Sequence, residues 1–457
     1  MSIEQQLADF VCHLKVDDVG APAQRIVRLM VQAVVGTGIA GSGEDGIAAL
    51  RELLLERGGA AQASTLVFGD RLPASVAAQF NATICRALDY CDAMAPGPHI
   101  GSSLFPAALA AAELAGGCSG AEFMAALAAG AELSSRLNLN EAQYNGLDPT
   151  GVAVVFAPTA AAARILGLTP TQTLHALALA FNRCGGSFQS HVDGSLGVRI
   201  VQGWVAETGV SCAQMAQRGI TGPVNFLTGH YGYAQLYGRG TLDVNGVVRG
   251  LGSDWRLHQV VFKKYPSCGV TQGVTELALG MADELGPALG ERGENMRRAE
   301  VRLPPYAHRL VGHPFRIGAN PRVDAQFSAQ YCVANALLRR SSKLHHFAPT
   351  QVNDPALRAL IERVTVISDP ALDARGHTAV DLSITLGNGR ICARQLDIAP
   401  GFPGADLSDA QHLARFDDCL AYAPKPLSAV QRGACLKALD ALTALPDARA
   451  LAELLKV

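Results

Sequence analysis

The sequence predicts a mainly α protein, with a large all-helical domain and a smaller α+β domain late in the chain. Three observations carry this. Apolar residues recur at helical spacing from the start to about residue 250. Between about 297 and 395 they switch to alternation. From Ala410 onward the helical spacing returns. The two periods, 3.6 and 2, separate helix from half-buried strand.

In the helical part, Ile26, Val27, Met30 and Val34 mark one helix, and Ala49, Leu50, Leu53 and Leu54 mark another. Ser119 and Glu122 form a capping-box pattern ahead of Phe123 to Leu127. Thr169-Pro170 with Gln172 repeats that pattern, with proline at the first helical position, ahead of Leu174 and Leu177. Faces of alanine and glycine, as in Ala160 to Ala163, let helices approach closely. In the α+β part, Ala299 to Leu303 and Arg363 to Ile367 read as strands. Val380, Leu382, Ile384 and Leu386 alternate strictly, and Gly387-Asn388-Gly389 turns the chain into Ile391-Cys392-Ala393 as a hairpin. Phe327 to Arg339 reads as a helix among these strands. The expected division is 1–264 helical, 265–397 α+β, and 398–457 returning to the helical domain.

Composition narrows the function. Of 457 residues, 49% are hydrophobic and 17% charged, and the formal net charge is -2, so neither a nucleic-acid nor a membrane-surface partner is indicated. The run Gly151 to Ala163 is too short to span a bilayer and contains Pro158. The first residues, Met1 to Gln6, have neither a basic nor an apolar region of a signal peptide. Eleven cysteines without a Cys-x-x-Cys pair read as free thiols of a reducing compartment, which points to the cytoplasm.

The segment Asn81 to Ala112 is the most informative. It holds Asp89, Asp92 and His99 at a break between two helical patterns, a place suited to anion binding and proton transfer. Taken alone, the segment reads more simply as a plain capped helix connection, and the rest of the chain shifts the balance. Gly36 to Gly41 matches G-x-G-x-x-G but follows a helical rather than a strand pattern, so it reads as a glycine-rich helix end. Adjacent His345 and His346 do not converge on a metal and read as surface residues, and no metal motif is present. Lys263-Lys264-Tyr265-Pro266-Ser267-Cys268 places two cations before a constrained turn, either a carboxylate-binding element or a solvated linker. Arg199, after a polar glycine loop, offers a bidentate fork or an ordinary ion pair.

Taken in order and spacing, these segments resemble the 2-methylcitrate dehydratase (MmgE/PrpD) family, which also contains cis-aconitate decarboxylase and iminodisuccinate epimerase. Asn81 to Ala110 is similar to its Asn-Gly-x-x-x-His-Ala-Leu-Asp-Phe-Asp-Asp motif followed by His-Pro-Gly. Lys263 to Gly269 is similar to its Lys-Pro-Tyr-Pro-Ser-Cys turn, and Phe327 to Tyr331 to its Phe-Ser-x-Gln-Tyr. Ala160 to Leu168 and Gly203 to Tyr237 add to the likeness.

The resemblance implies a homodimer, a helical domain with a smaller α+β lid, no metal or organic cofactor, and a small carboxylate substrate. It implies site positions at Asp89, His99, Lys263, Cys268 and Tyr331. The expected catalytic set is His99 as general base, Asp89 as its paired acid, Asp148 as a second acid/base, and Tyr331 as proton donor or carboxylate holder. Arg199, Lys263, Lys264, Cys268 and Gln272 are the expected substrate-binding residues. Ala93, Asp148, Val198 and Gln272 depart from the family, which has Thr, His, Lys and His there. The site thereby loses positive charge and gains a carboxylate, which suits a substrate with fewer carboxylates or with an amine. The expected activity is a cofactor-independent lyase of the dehydratase type. An epimerase or decarboxylase of a related di-acid, or a non-catalytic homologue, stays open.

Overall fold

The computed structural model describes residues 1–457 and divides into two units. The first comprises Met1–Val260 with Cys419–Val457, and the second Val261–Asp418. The chain is mainly helical, and no helix is long and apolar enough to cross a membrane.

The first unit is built on six helices that concern the candidate site: α1 (Ala21–Gly41), α2 (Ala74–Arg86), α3 (Gly101–Leu114), α4 (Gly120–Leu137), α5 (Phe156–Ile165) and α6 (Gly197–Gln217). Helix α2 packs against α1, α3 and α6. Glycines set these crossings. A Cβ on Gly38 of α1 would lie 2.9 Å from Cys85 Sγ, and one on Gly41 would lie 2.2 Å from the Ile84 carbonyl. From the other flank, a Cβ on Gly203 of α6 would lie 2.3 Å from Thr83 Oγ1 and 2.7 Å from the Gln79 carbonyl. Each glycine costs helix propensity of roughly 1 kcal/mol against alanine, and each sits where an added Cβ would strike a neighbouring helix. The Gly36 to Gly41 motif is thus the last two turns of α1, a packing surface.

The capping signals resolve individually. Thr169 and Gln172 form both bonds of their box ahead of the helix Pro170–Phe181. Ser119 caps α4 by accepting from the Glu122 N–H at 3.2 Å. Glu122 does not complete a box, because its carboxylate forks onto Arg164 at 2.7 and 3.1 Å. An arginine fork outcompetes one backbone N–H for a carboxylate. Deeper in the unit, Glu132 and Arg136 of α4 pair at 2.5 Å with both side chains fully buried. Arg136 also donates to the carbonyls of Val247 and Arg249, while Glu132 accepts from the N–H groups of Arg256 and Leu257.

The second unit holds a four-stranded sheet of β1 (Met296–Leu303), β2 (Val364–Ser368), β3 (Val380–Leu386) and β4 (Ile391–Leu396), in the order β2-β1-β3-β4. Strands β1 and β2 are parallel, and the other pairs are antiparallel. Val380, Leu382, Ile384 and Leu386 are buried while the residues between them are half-buried. The buried face packs on helices α7 (Gln272–Leu285) and α8 (Ala329–Arg339). The β3–β4 turn closes with Leu386 N–H donating to the Arg390 carbonyl at 2.9 Å, and Gly389 takes φ +86°. This unit runs to Asp418, past residue 397. Phe262 N–H donates to the Gly401 carbonyl at 3.0 Å, and Leu344 N–H to Asp418 Oδ2 at 3.0 Å, which ties the segment after β4 into it.

Candidate active site

In the first unit the break between α2 and α3 spans residues 87 to 100. It follows Arg86, the last residue of α2, at 3% exposure. The chain then turns through Asp89, whose φ of +53° lies in the left-handed region that aspartate tolerates better than most residues. This turn swings the Asp89 carboxylate back onto Arg86, with Oδ1 2.6 Å from Nη1. Asp92 is fully buried and accepts from the N–H groups of Ile100 at 3.1 Å and Gly101 at 2.9 Å. It therefore satisfies the first orphan donors of α3 and complements the positive end of that helix.

His99 sits 7% exposed between the Asp89 carboxylate and the Asp92 main-chain carbonyl. Its Nδ1 is 2.7 Å from the Asp92 carbonyl and 3.4 Å from Cys91 Sγ. A carbonyl only accepts, so Nδ1 carries the proton in the neutral ring. Nε2 is then the basic nitrogen, and it faces Asp89 Oδ1 at 3.7 Å. Protonating Nε2 creates a cation beside a carboxylate that Arg86 already holds. The sequence brings Asp89 and His99 together in this way across nine intervening residues.

Asp148 is 2% exposed and heads the π-type turn Thr150–Val154. Its Oδ1 accepts from the Thr150 N–H at 2.8 Å, and its own N–H donates to the Gly186 carbonyl at 3.1 Å. Burial raises its pKa above the usual carboxylate range, against the pull of the Thr150 N–H and of Arg86. Arg86 feels the same pair from the other side. Burial works against its charge, but Asp89 and Asp148 nearby outweigh that and hold it charged. Arg86 thus links Asp89 and Asp148 electrostatically. Arg199, 7% exposed in the first turn of α6, donates from Nη1 to the Asp45 carbonyl at 2.8 Å.

The remaining expected residues lie in the second unit. Lys263 is 2% exposed and Cys268 is 8% exposed. Lys264 pairs with Glu276 at 2.7 Å, and Tyr265 donates to the same carboxylate at 2.6 Å. Gln272 uses both ends of its amide on the turn. Oε1 accepts from Tyr265 N–H at 2.8 Å, and Nε2 donates toward the carbonyls of Tyr265, Ser267 and Cys268 at 3.0 to 3.2 Å. It staples residues 265–268 into shape. Tyr331 is fully buried between Phe315 and Phe347, and its hydroxyl donates to the His346 carbonyl at 2.6 Å. Burial pushes its pKa up to about 12.

Three residues stand differently in the structure from what the sequence suggests. His346 is not a surface residue. It is 5% exposed, and its Nδ1 accepts from the Lys343 N–H at 3.1 Å, while burial and then the neighbouring cations lower its pKa to about 3. Arg86 escaped the sequence reading, although a charge ending an otherwise apolar helical face three residues before Asp89 was a usable signal. Gln202 also escaped it. This fully buried residue of α6 donates from Nε2 to the His99 carbonyl at 2.6 Å, a contact 103 positions away in sequence.

Comparison with known proteins agrees along most of the chain. Residues 5–244 match the MmgE/PrpD N-terminal domain, and residues 265–433 match the MmgE/PrpD C-terminal domain. The chain is 26% identical to the cis-aconitate decarboxylase of Homo sapiens over 410 positions, covering 86% of this chain and 82% of that protein. It is 25% identical to the Mus musculus cis-aconitate decarboxylase over 473 positions, covering 100% of this chain and 93% of that protein. It is 24% identical to a cis-aconitate decarboxylase-like protein of Aspergillus oryzae, covering 82% of each.

Proposed function

The chain belongs to the MmgE/PrpD family, and we propose that it is a cofactor-independent lyase that moves a proton at the carbon next to a carboxylate of a small carboxylic acid. The observation that supports this best is the seating of His99. Its Nδ1–H is held by the Asp92 carbonyl, which leaves Nε2 basic and 3.7 Å from Asp89. Histidine titrates near neutrality and suits both removal and return of a proton.

In dehydration, Nε2 takes the proton next to the carboxylate, the C–H electron pair becomes the new C=C bond, and the C–O bond breaks as an acid protonates the departing hydroxyl. Asp89 stabilises the imidazolium that forms. Asp148, with its raised pKa, is the proposed acid. A second reading, decarboxylation, draws support from the names of the relatives. There the C–C bond to the leaving CO₂ breaks, and the electron pair left on carbon takes a proton from the imidazolium or from Asp148. Both readings use the same residues, as does an epimerisation that removes and returns one proton. We further propose a homodimer in the cytoplasm.

The test is incubation of the purified protein in D₂O with 2-hydroxy di- and tricarboxylates, cis-aconitate and amino-dicarboxylates, followed by NMR and mass spectrometry. Water loss supports the dehydratase, CO₂ loss the decarboxylase, and deuterium entry without other change the epimerase. Turnover that survives in His99→Ala removes His99 from the mechanism.

A further inference from the structure

Gln202 lies in the first two turns of α6 and is fully buried. Its Nε2 donates to two acceptors, the His99 carbonyl at 2.6 Å and Ser103 Oγ at 2.6 Å. Ser103 in turn donates to the Gln202 main-chain carbonyl at 2.8 Å. The ring of bonds joins α6, the start of α3, and the residue that bears the imidazole. The Gln202 Oε1 atom is buried without a hydrogen-bond partner. Leaving a buried acceptor unsatisfied is unfavourable, and a leucine of similar size would fill the same space without that cost. Packing therefore does not explain the amide, whereas its two donors do. The neighbouring Gly203 lies against α2, where an added Cβ would meet Thr83 Oγ1 and the Gln79 carbonyl.

The loop that carries His99 is held at other points too, including a bond from Asn138 Nδ2, just after α4, to the Ala95 carbonyl at 2.7 Å. Asp92 anchors one end on α3, and Met94 N–H donates to the Pro98 carbonyl at 2.9 Å. Gln202 grips the His99 backbone from a separate helix and so fixes the rotation of that peptide. The direction of the imidazole follows, with Nδ1–H on the Asp92 carbonyl and Nε2 toward Asp89.

We infer that Gln202 is a positioning residue that sets the tautomer and aim of His99 through the His99 main-chain carbonyl, an inference that rests on His99 being the proton-transfer group. The test compares Gln202→Leu with Ser103→Ala in the full chain. Ser103→Ala breaks the same local ring but leaves the bond to His99. The first readout is the ¹⁵N spectrum of labelled histidine, which needs no substrate. Wild type and Ser103→Ala are expected to show one Nδ1–H tautomer for His99, and Gln202→Leu a mixture of the two. The second readout is turnover of whichever substrate the D₂O panel identifies. Gln202→Leu is expected to lower kcat 10- to 100-fold with KM within about twofold. If Gln202→Leu does not fold, Gln202→Glu keeps the length and sets an acceptor against the His99 carbonyl, with the same expected change. An unaltered His99 spectrum in the Gln202 variant, or equal changes in both variants, overturns the inference. A shifted spectrum in a protein whose turnover ignores His99→Ala leaves Gln202 positioning His99 and rejects the catalytic reading instead.

Discussion

The guanidinium of Arg86 and the carboxylate of Asp89 meet at 2.6 Å, three residues apart, across a left-handed turn that would be strained for most other residues. Arg86 is 3% exposed by side chain and Asp89 12%, so neither is relieved by bulk water. A buried ion pair often adds little net stability, but removing one partner leaves an uncompensated charge. Arg86→Met is therefore expected to lower unfolding free energy by about 3–5 kcal/mol. The double variant with Asp89→Asn should recover part of that loss. Urea denaturation of the single and double variants measures the coupling, and simple additivity would refute it.

The proton-transfer role of His99 gives a kinetic expectation. His99→Ala should lower kcat by about 10²–10⁴-fold, the range of general acid–base catalysis, with the near-UV circular dichroism of the wild type retained. Asp89→Asn should lower it less, because the imidazole keeps its Nδ1 partner, the Asp92 carbonyl. Steady-state kinetics on the identified substrate decides both.

Asp148 makes stability depend on pH. Its folded pKa is raised above the ordinary carboxylate value of about 3.9. Such a group contributes stability below the unfolded pKa, and that contribution is lost as pH rises through the folded pKa. Asp148→Asn carries no such loss. Its stability relative to wild type should rise from about pH 4 upward and then level off above the folded pKa, by about 1.4 kcal/mol for each pH unit of that window. Urea melts of both proteins across pH 4 to 8 show the trend, and a difference that is flat with pH would contradict it.

Two glycine-to-alanine changes should have opposite signs. In Gly41→Ala the new methyl would meet the Ile84 carbonyl at 2.2 Å, and backbone cannot move aside cheaply. The expected cost is about 1–3 kcal/mol or more, typical of overpacking. In Gly280→Ala, within helix α7, the methyl meets nothing within 4 Å. That variant should gain about 0.5–1 kcal/mol from helix propensity. Thermal melts of the pair check both signs.

Much of this architecture was legible as local pattern. The strict alternation of Val380 to Leu386 and the glycine turn after it specify the β3–β4 hairpin, because side chains in a strand must alternate between core and solvent. Thr169, Pro170 and Gln172 specify a helix start for a reason contained in four residues. Glu122 shows where local reasoning stops, since Arg164 arrives from a distant helix and takes its carboxylate. His346 reads as solvated beside His345 and Lys343, yet its ring turns back to accept from the Lys343 backbone. At the candidate site, Asp89 and His99 were visible as chemistry. The ion pair with Arg86 needed the left-handed turn at Asp89, and the bond to Gln202 needed α6 to pack beside the start of α3. The three-residue spacing of Arg86 and Asp89 hints at the first, and nothing local encodes the second.

Helix α2 has a glycine-lined neighbour on each flank, α1 through Gly38 and Gly41 and α6 through Gly203. Each approach leaves no room for a Cβ, so the rod cannot slide or roll without atoms of neighbouring helices colliding. It behaves as a jig clamped from both sides, and Arg86 and Asp89 protrude from its open end. The placement of that end is thus inherited from glycines that take no part in chemistry. The position of the Arg86–Asp89 pair is therefore set by main-chain packing, while its charge balance is set by the pair itself.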